Sequence, residues 1–127
     1  MAARYSFTID QGATKEFVVR YADSTNSPID LTGYTAKMQI RPAPGSETLY
    51  ATLSTTIAPD GSGLYITGLP CDPVPAASGS IGIVMSAALT TSLNFGDASY
   101  DLEIKKDSYV VRVIEGKIRL NKETTKD

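Results

Sequence analysis

Histidine and tryptophan are absent from this chain, and cysteine occurs once, as Cys71, among 127 residues. Without imidazole, no serine, threonine or cysteine nucleophile can be served by a histidine base. Histidine metal ligands and histidine pH switches are excluded with it. One cysteine closes no internal disulfide, which fits a reducing compartment or simple disuse of disulfides. This thiol is expected as a small buried or half-buried side chain in a loop. No Ser-x-x-Lys element offers another base, and neither G-x-G-x-x-G nor G-x-x-x-x-G-K-[ST] offers a phosphate cradle. Asp60-Gly-Ser-Gly63 lacks the ligand spacing of a calcium loop and reads as a hairpin turn. No apolar run approaches the ~20 residues of a membrane span, and Met1–Asp10 has no apolar signal-peptide core. Positive charge is also missing: twelve basic residues face fourteen acidic ones. The one adjacent basic pair, Lys105-Lys106, sits between Glu103 and Asp107 and reads as a solvated hairpin tip, so no nucleic-acid surface is expected.

What the chain does have is alternation with a period of two. Tyr34, Ala36, Met38 and Ile40 share one face, while Thr35, Lys37, Gln39 and Arg41 share the other, as in a strand with one buried side. Tyr100, Leu102 and Ile104 repeat the pattern against Ser99, Asp101, Glu103 and Lys105. Shorter copies are Tyr5/Phe7/Ile9, Phe17/Val19/Tyr21, Leu49/Ala51/Leu53, Leu64/Ile66 and Ile81/Ile83/Met85. A long strand over 109–121 changes phase, from Tyr109, Val111 and Val113 to Ile118 and Leu120. Gly116 lies between the two phases and suits a β-bulge; an unbroken even phase would instead bury Arg112.

Turn clusters separate these runs. The longest, 69–79, holds Pro70, Pro73 and Pro75, which bar a central strand or a helix and leave an exposed connection able to dock on a partner. Ser86 is placed to cap a short helix near 87–93. The pattern predicts an all-β, immunoglobulin-like antiparallel β-sandwich of about seven to nine strands, as one domain over 1–127 with a fraying charged tail at 122–127. Tyr100 follows a corner-like stretch, as the tyrosine of such sandwiches does when its hydroxyl bonds upstream backbone; an ordinary core aromatic is the other reading. Asp30 can bond nearby backbone amides, and Gly33 can take a positive φ on re-entering the strand.

Chemistry by two carboxylates requires spatial pairing that a sequence does not display, but Asp101, Glu103, Asp107 and Glu115 alternate as solvated strand faces do. Seven tyrosines are present, a residue suited to half-exposed sheets and protein contacts. Tyr50 and Tyr65 fall off the inward phase of their strands and are candidates for a contact patch, as are Val18 and Val110. The alternative is a tyrosine on the wet side of an ordinary strand.

Two segments carry a resemblance. Pro28-Ile-Asp-Leu-Thr-Gly-Tyr-Thr-Ala-Lys-Met-Gln-Ile-Arg41 is similar to the opening of small β-sandwich structural proteins of tailed bacteriophages, such as the N-terminal domains of baseplate upper proteins. Ser99-Tyr-Asp-Leu-Glu-Ile104, continued by Tyr109-Val-Val-Arg-Val-Ile-Glu-Gly-Lys-Ile-Arg-Leu through Thr125, resembles their closing motif. The resemblance spans about Phe7 to Thr125; the proline-rich 69–79 and Thr124 depart from it. It implies a non-enzymatic subunit made in the bacterial host cytoplasm and built into the tail, baseplate or fibre-attachment region of a virion. Its partners would be other virion proteins and copies of itself, with no cofactor, metal, membrane or small-molecule substrate. A capsid decoration protein, a carbohydrate- or receptor-binding module and a small two-carboxylate hydrolase are the rivals. The last strand, read as a sheet edge, would pair with a neighbouring chain. Tyr50, Tyr65, Pro70, Pro73, Pro75, Tyr109, Arg112 and Arg119 are the candidate interface residues. Asp30, Gly33, Tyr100 and Gly116 are the structural ones.

Overall fold

The computed structural model describes residues 3–122, so all of the expected fraying tail except Lys122 lies outside the described residues. In chain order the elements are β1 (Ala3–Arg4), β2 (Phe7–Asp10), β3 (Lys15–Arg20), β4 (Thr35–Arg41), β5 (Ala51–Ser54), β6 (Gly63–Tyr65), β7 (Gly68–Leu69), β8 (Asp72–Pro73), β9 (Ser80–Met85), α1 (Ala87–Ser92), β10 (Asp97–Lys106) and β11 (Tyr109–Asn121). The larger sheet runs β11-β10-β4-β5, and β1 and β2 both pair with the far side of β11; the smaller sheet runs β3-β9-β6. These are the strand orders G-F-C-C′ and B-E-D of an immunoglobulin-like sandwich. The N-terminal strands depart from an antiparallel scheme, since β1 and β2 run parallel to β11.

The inward residues of both sheets meet in one core. Ile9, Met38, Ile40, Leu102, Ile104 and Ile118 come from the large sheet, and Leu64, Ile81, Ile83 and Met85 from the small one, all buried. Phe7, on the large sheet, meets Phe17, on the small one, at 4.7 Å between ring centroids. They close the flank where the chain crosses from β2 to β3. Tyr5 was expected inward, but it is 47% exposed. Its ring instead covers Phe7 and Phe17 from outside, at 6.0 and 5.8 Å.

Three further expectations are corrected, each by backbone geometry that leaves no mark on alternation. The phase change in β11 falls at Val113, not Gly116: Leu102 pairs with Ile114 but Glu103 with Arg112, so Val113 is the extra residue of the bulge. Val113 and Ile114 are therefore both buried, and Arg112 stays exposed. Gly116 pairs with Tyr100 and is small for another reason, the close passage of the Tyr5 backbone. Leu49 points outward and Tyr50 inward, because Tyr50 N–H bonds the Ile40 carbonyl one position off the regular β4–β5 register. Asp60 to Gly63 is no hairpin turn: β5 and β6 belong to different sheets, so the segment crosses the sandwich.

The proline-rich stretch folds on its own domain. β7 and β8 form a small hairpin, and a 3-10 turn at Ala76–Ser78 follows it. The hairpin backbone crosses the outer face of β9 so closely that a Cβ on Gly82 would lie 2.5 Å from the Gly68 carbonyl oxygen. Cys71, at its tip, is exposed rather than buried.

Helix α1 begins as expected, with the Ser86 hydroxyl accepting from Leu89 N–H at 3.0 Å. It is held to the β2–β3 turn by Thr90, which is fully buried. The Thr90 hydroxyl accepts from Gly12 N–H at 3.1 Å and faces the Ala13 carbonyl at 2.9 Å. Thr90→Val keeps the shape and strands both backbone partners. It is expected to lower stability by about 1–3 kcal/mol, read as a lower urea midpoint at unchanged slope.

Candidate functional site

The outer face of the large sheet is lined by cross-strand rows. In one row Ser99 lies between Arg41 on β4 and Lys117 on β11; in the next, Asp101 lies between Gln39 and Glu115. Serine is short and its flanking neighbours are long, so the surface dips at Ser99. The loop after β4 forms one wall. The Arg41 guanidinium donates to the carbonyls of Ser46, Glu47 and Thr48 at 3.0, 3.3 and 3.4 Å, and to Gln39 Oε1 at 3.0 Å. Those bonds fold Ala43, Pro44 and Gly45 over the sheet. β1 brings Arg4 to the opposite side, beside Glu115. The result is a groove of about 260 Å³ lined by Arg4, Arg41, Arg112 and Lys117 against only Asp101 and Glu115. Both carboxylates face Arg112, at 3.6 and 3.9 Å.

A second surface lies at the end of the sandwich where the 21–34 and 66–79 connections meet the β10–β11 turn. Tyr21 N–H bonds the Gly79 carbonyl at 2.7 Å, and Leu31 N–H bonds the Ala76 carbonyl at 3.0 Å. Tyr109 and Val110 are exposed here, at 60% and 51%. Partial burial, followed by the neighbouring Tyr109 and Tyr34, raises the pKa of Tyr21. Lys106 Nζ sits 5.6 Å from the centre of the Tyr34 ring, within cation–π range. Asp30 and Gly33 shape the entry to β4 as anticipated: Asp30 accepts from Thr32 N–H and hydroxyl at 2.9 and 2.6 Å, and Gly33 has φ +83°.

Three loop carboxylates have lowered pKa values: Asp23 and Asp30 at this end, and Asp60 in the β5–β6 connection beside the start of α1. Hydroxyl donors lead in each case: Thr25 for Asp23, Thr32 for Asp30 and Ser86 for Asp60, each backed by a backbone N–H. A depressed folded-state pKa adds stability above the unfolded value, 3.8, that is lost as pH falls through the folded value. Stability is therefore expected to hold steady down to about pH 4 and decline below it. Asp60→Asn is expected to flatten that acid limb, checked by urea midpoints between pH 2 and 6.

The structure sorts the expected interface residues. Tyr50 packs against the core and stacks on Phe95 at 4.8 Å, so it is withdrawn from any contact patch. Tyr65 is half-buried, its hydroxyl engaged with the Gly61 carbonyl at 2.8 Å. Pro70, Pro73 and Pro75 are exposed on a segment already seated on β9 and the 21–34 loop. Tyr109, Arg112 and Arg119 are exposed, as is Val18. Tyr100 is buried and its hydroxyl does bond upstream backbone, but the acceptor is the Tyr5 carbonyl in the N-terminal arm, not the corner before β10. Burial first, then the nearby Tyr5, pushes its pKa well above the usual tyrosine range.

β11 is not a free edge. β1 pairs with Ile114–Glu115 and β2 with Ile118–Asn121, while Tyr5 and Ser6 pass beside Gly116 and Lys117; Tyr109–Val113 has no chain segment paired on that side among the described residues. Sequence reasoning missed Arg4, Arg41 and Lys117 as one site because three separate strands bring them together. Tyr21 and Tyr34 do pack against the core as their phase implies, but they are only half-buried, and the sequence does not show that Tyr21 lies near both Tyr34 and Tyr109.

No protein-family model matches this chain, and no curated protein matches it in sequence. Among the described residues, no three His, Cys, Asp or Glu side chains gather where a metal ion could be held. No helix among them is long and apolar enough to cross a membrane.

Proposed function

We propose that this chain is a non-enzymatic structural subunit of a tailed-bacteriophage virion, working by protein–protein assembly in the tail, baseplate or fibre-attachment region. One observation carries the reading. The two segments that resemble phage structural proteins, 28–41 and 99–125, supply β4, β10 and β11, three adjacent strands of one sheet. That sheet also presents the charged groove on its outer face and Tyr109 and Val110 at its hairpin tip. An immunoglobulin-like sandwich hosts many functions, so the virion assignment draws on the resemblance and the assembly assignment on these surfaces.

The test is to purify particles from the bacterium that encodes the chain and quantify it by mass spectrometry against the major capsid protein. A small, fixed copy number in the tail fraction supports the reading. Absence from particles overturns it, and hundreds of copies on the head would move the protein to capsid decoration.

A further inference from the structure

We propose that the groove over Ser99 is the seat of an acidic, extended segment of a neighbouring virion protein, with a carboxylate held between Arg41, Lys117 and Arg4. The inference rests on the assembly reading and gives the partner's chemistry. Its first support is charge: the groove holds four cationic side chains and two anionic ones, in a chain whose net charge is -2. The second is how those charges are engaged. Asp101 and Glu115 both face Arg112, whereas Lys117 and Arg4 have no ion pair among the described residues. Arg41 is fixed by loop carbonyls, which orient its guanidinium without neutralising it. The third is the floor. No protein group among the described residues bonds the Ser99 hydroxyl, which leaves a donor at the low point of the cationic row. The fourth is size: about 260 Å³ falls just short of the range of small-ligand clefts and suits one or two side chains of a longer segment. A carboxylate entering here exchanges water for two or three charge-assisted contacts on a partly enclosed surface.

The probe is a fluorescein-labelled glutamate-rich decapeptide, with serine-rich and lysine-rich decapeptides of the same length, titrated against the whole chain by anisotropy. The acidic peptide is expected to bind, with affinity falling steeply as salt rises. Lys117→Glu and Ser99→Glu, which invert or fill the site from within, should each weaken it about tenfold. Lys37→Glu, on the same face but outside the groove, should leave it within about twofold. Circular dichroism of each variant establishes that the fold is kept. Equal binding of the serine-rich peptide, an equal loss in Lys37→Glu, or no binding at millimolar peptide would each overturn the proposal. Competition at equal strength by inorganic phosphate would overturn it too, by making the groove a site for small anions. Particle proteomics separates the two levels: a chain present in virions that ignores the peptide refutes the docking chemistry alone.

Discussion

Gly116→Val is expected to cost about 3 kcal/mol, as forced overpacking against a fixed neighbour does, and to detach the N-terminal arm before the rest of the domain unfolds. A Cβ at this position would stand 2.0 Å from the Tyr5 carbonyl oxygen and 2.7 Å from its carbon, with Tyr100 Cε1 at 3.3 Å. The first two are backbone atoms, so no rotamer relieves the clash. Tyr5 N–H bonds the Glu115 carbonyl at 3.0 Å, and the Tyr5 carbonyl accepts from the Tyr100 hydroxyl, so the arm is held on both sides of the point that must move. The measurement is the denaturant midpoint together with amide exchange at Tyr5. A loss below about 1 kcal/mol, or unchanged protection at Tyr5, would show that the arm does not pass this close. Tyr100→Phe removes one hydrogen bond without the clash and should cost only about 1 kcal/mol.

Leu102→Ala is expected to cost about 3–4 kcal/mol, within the range of cavity-forming leucine truncations. Leu102 is fully buried, paired with Met38 on one side and Ile114 on the other. It sits in the middle strand beside the bulge, where neighbouring backbone on both sides resists collapse into the void. Val110→Ala, on the same hairpin but 51% exposed, should change stability by less than about 0.5 kcal/mol. Against a total of about 5–15 kcal/mol for a domain, the first loss is a large fraction and the second is not. Equal effects from the two substitutions would contradict the assigned core.

These variants also mark where sequence was sufficient. The inward phases of β4, β9 and β10 read directly, because each of these strands is paired on both sides and keeps one face on the core. The cap at Ser86 read as well, since it depends on chemistry within one turn of chain. Tyr50 and Ile114 misled for a shared reason. Each stands at a break in register that turns two consecutive residues inward, and hydrophobic content alone does not say which of two adjacent residues is the extra one. The groove was illegible for a different reason. Arg4, Arg41 and Lys117 are ordinary wet-face residues in their own strands, and they become a site only through the pairing of β1, β4, β10 and β11. Tyr5 and the proline-rich hairpin depended on where the backbone passes, which glycines at positions 116 and 82 record but do not explain.

The parallel placement of β1 and β2 on β11 has a consequence for how the domain comes into being. Phe7 and Ile9 find their strand partners in Ile118 and Leu120, and the Asp10 and Asn121 side chains bond across 111 positions of chain. During synthesis the arm leaves the ribosome well before the strand that receives it. The apolar side chains of β2 must then remain uncovered while nearly everything between is made. Closure of that longest loop carries its entropic cost late, so docking of the arm should be the slow step and the aggregation-exposed interval.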